Sequence, residues 1–190
     1  MRTRWWGRSF VKRILIVFAT REGQTEKVSR RLADALEAAG VSVRLVDARD
    51  RQTAGELEPD TYDLLVCGAS MHVGGLEREL IDFVRDHTAA IARTPRSFFL
   101  VLLSAAARDP SLRDRWLADA RRKMDAQLAV SFDDVEMIAG ALAYSRYSAP
   151  VKWLMRRIAR QAGEGTDPSR DYEYTDWAQV ERYARRLAEQ

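Results

Sequence analysis

The feature that most constrains this chain is an alternation of two kinds of apolar pattern. Short runs of branched and aromatic residues, each long enough for one strand, are separated by longer stretches with apolar residues at helical spacing. Ile14–Ala19, Val41–Val46, Tyr62–Cys67, Ser97–Leu103 and Val135–Leu142 read as strands. Glu26–Ala39, Leu76–Ile91, Arg108–Leu128 and Tyr174–Ala188 read as helices. Gly40 stops the first helix, Asp109 or Ser111 caps the third, and Thr175 or Asp176 caps the last. Residues 49–60 are polar and read as a connector with a turn at Pro59. Strands that are apolar throughout belong in a parallel sheet covered by helices on both faces. Right-handed crossovers leave few topologies, and for five strands the doubly wound α/β order 2-1-3-4-5 is expected. A ligand then sits beyond the C-terminal ends of strands 1 and 3, at residues 20–25 and 68–74.

Two loops therefore bear on chemistry. The first is Thr20-Arg21-Glu22-Gly23-Gln24-Thr25. Its hydroxyls, its successive backbone N–H groups and the start of the following helix suit a phosphate monoester. No lysine closes the loop, and neither GxxxxGK[ST] nor GxGxxG is present, which points to a mononucleotide with no phosphoanhydride to cleave. An ordinary strand-to-helix turn uses the same residue types, so that alternative stays open. The second loop, residues 68–75, contains Ser70, Met71, His72, Val73 and Gly74. Its small residues leave room beside strand 3 for a flat ring, and Ser104, Ala105, Ala106 and Ala107 after strand 4 close the other side. His72 either faces a bound anion or is a solvated loop side chain.

Composition narrows the classes. A chain of 190 residues suits one domain. No apolar run approaches the roughly 20 residues that span a bilayer. With Cys67 the sole cysteine, no intrachain disulfide forms, and with His72 and His87 the only histidines no metal site is expected. A reducing cytoplasm is the default compartment. Basic charge is segregated. Residues 1–13 carry Arg2, Arg4, Arg8, Lys12 and Arg13 without an acid, and residues 141–162 carry Arg146, Lys152, Arg156, Arg157 and Arg160 without one. The remainder is net acidic, so an anionic partner is expected. Residues 1–12, with Trp5, Trp6 and Phe10, read as a basic, aromatic extension ahead of a domain at 13–190, and lack the apolar stretch of a signal peptide.

After strand 5 comes more chain than a five-stranded fold needs. In it Val151, Leu154, Met155, Ile158 and Ala162 share one helical face, Lys152, Arg156, Arg157 and Arg160 lie mostly off it, and Trp153 flanks it. Such a helix lies in an anionic membrane interface, or packs on the body with a solvated basic face. No nucleic acid is expected, since the basic set is short and no reading motif accompanies it.

The segments TREGQT (20–25), GAS (68–70), IAGAL (138–142), YSRY (144–147), GEGTD (163–167) and YTDW (174–177) occur in this order. Together they resemble the menaquinone-dependent protoporphyrinogen IX dehydrogenase family, whose fold is flavodoxin-like, from Arg13 to the C-terminus. The resemblance implies FMN as cofactor, protoporphyrinogen IX as substrate, menaquinone or another quinone as acceptor, a place in haem biosynthesis, and a cytoplasmic protein held peripherally at the inner face of the cell membrane. It implies that residues 20–25 hold the FMN phosphate, that Ser70 and its neighbours lie beside the isoalloxazine, and that 144–170 is the family's long insertion. A cleft bordered by Tyr144, Tyr147 and Trp153, with Arg146 and Lys152 for propionates, suits the macrocycle, and Arg156 and Arg157 suit the membrane. The family carries basic and aromatic residues where this chain has His72 and Val73, a departure that bears on substrate fit. No general acid or base stands out. An electron carrier and a flavin-binding regulatory module are the alternatives, although carriers of this fold are typically acidic.

Overall fold

The computed structural model describes residues 11–72, 74–142 and 171–190. The sheet strands are β1 (Arg13–Phe18), β2 (Ser42–Asp47), β3 (Leu64–Ser70), β4 (Arg96–Leu102) and β5 (Asp134–Ala139). They are all parallel and stand in the order β2-β1-β3-β4-β5, as the alternation predicts. The helices are α1 (Gln24–Ala38), α2 (Arg51–Gly55), α3 (Arg78–Asp86), α4 (Thr88–Arg93), α5 (Pro110–Gln127) and α6 (Trp177–Glu189).

Alternate strand residues face opposite layers. Ile14, Ile16, Leu64, Val66, Phe99, Val101 and Ile138 pack with Val28, Leu32 and Leu36 of α1 and Val180, Tyr183 and Leu187 of α6. On the other face Leu15, Val17, Leu65, Cys67, Phe98 and Leu100 meet Ala54 of α2, Leu80, Phe83 and Val84 of α3, Ile91 of α4 and Ala120 and Met124 of α5. Burial pushes the Cys67 thiol pKa far up, so it is a core side chain with no thiolate chemistry.

Several elements depart from the sequence pattern, each for a local reason. The polar connector 49–60 forms α2, capped by Asp50 accepting from Thr53 N–H, and a 3-10 turn at Pro59–Thr61. The expected helix 76–91 breaks at His87. There the Thr88 hydroxyl bonds the Val84 and Arg85 carbonyls that a continuing helix would use, and His87 Nδ1 joins its own N–H on Phe83 O. Strand β3 starts two residues later than expected and continues through Gly68, Ala69 and Ser70. The space at Gly68 belongs to packing, because a Cβ there would stand 2.0 Å from the Phe99 ring. Strand β5 stops at Ala139 instead of Leu142. Gly140 N–H still reaches Leu102 O at 3.2 Å, but Gly140 O accepts from Tyr174 N–H at 3.0 Å. The chain thereby leaves the sheet, and β6 (Ala141–Leu142) pairs antiparallel with β7 (Tyr172–Glu173). At the front, Ser42 N–H bonds Lys12 O, and Lys12 Nζ bonds Leu187 O at the end of α6. Among the described residues no helix is long and apolar enough to cross a membrane.

One buried polar contact ties α6 to the sheet. Ser97 Oγ lies 2.6 Å from Tyr183 Oη and 2.5 Å from Asp134 Oδ2. Burial pushes the Tyr183 phenol pKa well up, so it stays neutral and able to donate. Ser97→Ala strands this hydroxyl and should lower unfolding free energy by about 1–3 kcal/mol in urea titrations. Tyr183→Phe leaves Ser97 bonded to Asp134 and should cost less, about 1 kcal/mol; the reverse ranking would contradict the assignment.

Candidate functional site

The C-terminal ends of β1 and β3 lie side by side, with Phe18 opposite Gly68. From β1 the chain turns within residues 19–23 and enters α1, and Gly23 makes the turn possible. It sits at φ 90°, a left-handed conformation that a residue with a Cβ adopts only at a cost. Gly23 N–H donates to Thr20 Oγ1 at 2.9 Å. Because Thr20 accepts there, its hydroxyl proton remains available to a ligand. Helix α1 begins at Gln24, two residues ahead of the sequence expectation, so Gln24 and Thr25 form its first turn. Gly23 has no side chain to cap the first N–H groups, which leaves the positive end of the helix uncapped.

Thr25 is completely buried in this turn. Among the described residues its Oγ1 is the one buried side-chain nitrogen or oxygen without a hydrogen-bond partner. A buried hydroxyl left in this state is costly, so it marks a place where a partner belongs. Gln24 is engaged instead: its Nε2 donates to Thr175 Oγ1 at 2.8 Å, and Thr175 donates to Ala139 O at 2.7 Å. This pair joins the start of α1, the end of β5 and the approach to α6. Arg21 is exposed, and Glu22 is half-buried. An open cleft of about 420 Å³ lies against the turn, between Gly23 and Gln24 on one side and Ala141 and Tyr172 on the other.

At the end of β3, Met71 N–H bonds Val101 O, and His72 and Gly75 exchange two backbone bonds at 3.0 and 3.1 Å to close a tight turn. Gly75 takes φ 105° there. Gly74 is exposed at the tip, while Gln127 of α5 accepts from Leu76 N–H at 3.0 Å. Glu77, absent from the sequence expectations, anchors the inside of the turn. Its side chain is 1% exposed, and it accepts from Ser70 N–H at 3.0 Å and from the Ser70 hydroxyl. His72 Nε2 lies 2.9 Å from Ser70 Oγ and 3.3 Å from Glu77 Oε1. The sequence signal was present as an acid at the N-cap of α3, but that position usually faces water.

After β4, residues 103–106 form a 3-10 turn, with Ser104 O accepting from Ala107 N–H, and Ala107 is buried. Ala105 and Ala106 line a second open cleft of about 410 Å³ with Leu117, Met137 and Tyr174. The turns after β1, β3 and β4 thus meet at one end of the sheet, where the topology puts a ligand. Among the described residues no group of three or more His, Cys, Asp or Glu is placed to hold a metal ion. Val73 and the residues Tyr144, Arg146, Tyr147, Lys152, Trp153, Arg156 and Arg157, with the expected basic helix 151–162, lie outside the described residues, as do residues 1–10.

Comparison with known proteins places this fold in a family. A flavodoxin domain model matches residues 15–169. The chain is 32% identical over 174 residues to protoporphyrinogen IX dehydrogenase (quinone) of Escherichia coli strain K12, covering 92% of this chain and 93% of that protein. It is 30% identical to the protein of that name from Leishmania major, covering 90% of this chain and 72% of the relative. Among solved structures, a short-chain flavodoxin associated with a non-canonical PDU bacterial microcompartment superposes with a TM-score of 0.53 at 16% identity, covering 94% of this chain and 98% of that one. At that identity the likeness establishes the fold.

The unpartnered hydroxyl has a consequence for the ligand-free protein. Thr25→Val removes it at nearly constant volume and should raise unfolding free energy by about 1 kcal/mol. Thr25→Ser, which keeps the hydroxyl, should bring no such gain. Urea titrations without ligand measure both, and a destabilised Thr25→Val protein would show that the hydroxyl has a partner in the folded chain.

Proposed function

The chain belongs to the family of quinone-dependent protoporphyrinogen IX dehydrogenases, oxidoreductases that here carry a flavodoxin domain, and from that premise we propose that it binds FMN and oxidises protoporphyrinogen IX to protoporphyrin IX, a step of haem biosynthesis, with a quinone as electron acceptor. The observation that carries the cofactor is the buried hydroxyl of Thr25, in the first turn of α1, which has no partner among the described residues. A phosphate monoester supplies what this turn lacks. Thr20 and Thr25 each hold a hydroxyl proton to give, and Gly23 keeps the backbone close with no Cβ in the way. The uncapped helix start favours the anion. FMN, when bound, supplies the acceptor for electrons leaving the porphyrinogen and the donor to the quinone.

The remaining roles belong to the neighbouring turns. Ser70, Met71, His72 and Gly74, with Val73 of the same sequence segment, border the isoalloxazine on one side, and Ser104 to Ala107 border it on the other. Support comes from their common position at the C-terminal end of β3 and β4. Tyr144, Tyr147 and Trp153 provide an apolar border for the macrocycle, and Arg146 and Lys152 pair with its propionates; the support here is the composition of the insertion. The same composition supports peripheral attachment of a cytoplasmic protein to an anionic membrane surface, where Lys152, Arg156 and Arg157 contribute about 1 kcal/mol each near the surface. Menaquinone, dissolved in such a membrane, is then the acceptor at hand.

Two measurements test this reading. Each hydrogen bond to a charged acceptor contributes about 1.5–3 kcal/mol, so the double variant Thr20→Ala, Thr25→Ala should bind FMN at least ~100-fold more weakly in fluorescence titrations. The FMN-loaded protein, given protoporphyrinogen IX and a menaquinone analogue without oxygen, should generate porphyrin fluorescence. Unchanged FMN affinity in the double variant sinks the phosphate site. A loaded protein that makes no porphyrin, beside a working family member, points to an electron carrier instead.

A further inference from the structure

The cluster at the end of β3 has a chemical polarity of its own. Glu77 is almost fully buried and receives both the N–H and the hydroxyl of Ser70. A serine whose proton goes to a carboxylate can only accept from its remaining neighbour. That neighbour is His72 Nε2, at 2.9 Å from Ser70 Oγ and 3.3 Å from Glu77 Oε1. Both acceptors therefore draw a proton onto Nε2, and the neutral ring carries it there, so the lone pair is on Nδ1. Among the described residues Nδ1 has no partner, and the side chain is 28% exposed. The other histidine is wired in the opposite sense, since His87 Nδ1 donates to Phe83 O at 3.0 Å.

From this geometry we infer that His72 is the general base of the reaction, with Ser70 and Glu77 as positioning residues that fix its tautomer. The inference rests on the porphyrinogen reading above. Oxidation of a porphyrinogen by two electrons takes a hydride from a bridging carbon, for which FMN, if bound, would be the acceptor. A pyrrole N–H must then give up its proton. His72 Nδ1 takes it, and the electron pair left on nitrogen becomes new conjugation between the ring and the bridging carbon. The imidazolium that forms stands beside the Glu77 carboxylate and returns its proton to water through its exposed edge. Glu77 is the charged group that the structure sets against His72 among the described residues; Gln127, which braces the turn from α5, is neutral. Paired backbone bonds between His72 and Gly75 fix the backbone that carries the ring.

The test has one arm independent of turnover. In 15N-labelled protein the ring resonances of the two histidines report their tautomers directly. Neutral His72 should be protonated at Nε2 and neutral His87 at Nδ1. Glu77→Gln, whose amide can donate, should erase the preference at His72 and leave His87 unchanged. An Nδ1-protonated His72 in the unaltered protein overturns the inference. The second arm mixes FMN-loaded protein with protoporphyrinogen IX without oxygen and follows bleaching of the flavin. General bases contribute about 10²–10⁴-fold, so His72→Ala should slow bleaching at least ~100-fold, and added imidazole should restore part of the rate. Glu77→Gln should slow it less, by about 10-fold, with FMN still bound. If the unaltered protein is bleached and His72→Ala is bleached equally fast, the base role falls alone. If porphyrinogen does not bleach the unaltered, FMN-loaded protein, the functional reading falls and takes the base role with it.

Discussion

A buried hydroxyl without a partner among the described residues, at Thr25, is the point on which this end of the fold turns. It exists because Gly23 takes a left-handed conformation and lets α1 begin immediately, which carries Thr25 under the turn instead of out to solvent. The same turn leaves the helix start uncapped and fixes Thr20 as an acceptor with a proton to spare. Gln24, one residue along, is drawn away to Thr175 and so braces α1 against the end of β5 and the entry to α6. Rigidity on one side of the turn and an unmet donor on the other are the features on which the proposed phosphate site rests.

The order of the sheet was legible because the three central strands are apolar along nearly their whole length while the edge strands β2 and β5 mix in polar residues, and five strands with helical crossovers leave few arrangements. Helix starts were legible to within a pair of capping residues, Asp109 or Ser111 and Thr175 or Asp176, of which the fold uses Asp109 and Asp176. Misreadings came where tertiary contacts outrank the pattern. Gly68 looks like a loop residue and is a strand residue whose missing Cβ admits the Phe99 ring. Gly140 sits inside an apolar run yet ends the strand, because its carbonyl is claimed by Tyr174 from thirty-four residues downstream. No periodicity encodes a partner that distant.

The candidate site shows the same division. Thr20, Gly23 and Thr25 announce themselves by residue type at the end of a strand. Glu77 does not, because a glutamate at the start of a charged helix is ordinarily solvated. Only the fold turns it inward, where it is 1% exposed and holds Ser70 and His72 together.

The central claim is that the turn recognises a phosphate monoester, and the most direct measurement compares ligands that differ in that group alone. Calorimetric titration of the flavin-free protein with FMN and with riboflavin isolates the phosphate. Two hydroxyl bonds to a charged acceptor, at about 1.5–3 kcal/mol each, predict FMN binding at least ~100-fold tighter than riboflavin. Equal affinity for the two would contradict the claim, whatever activity the protein shows.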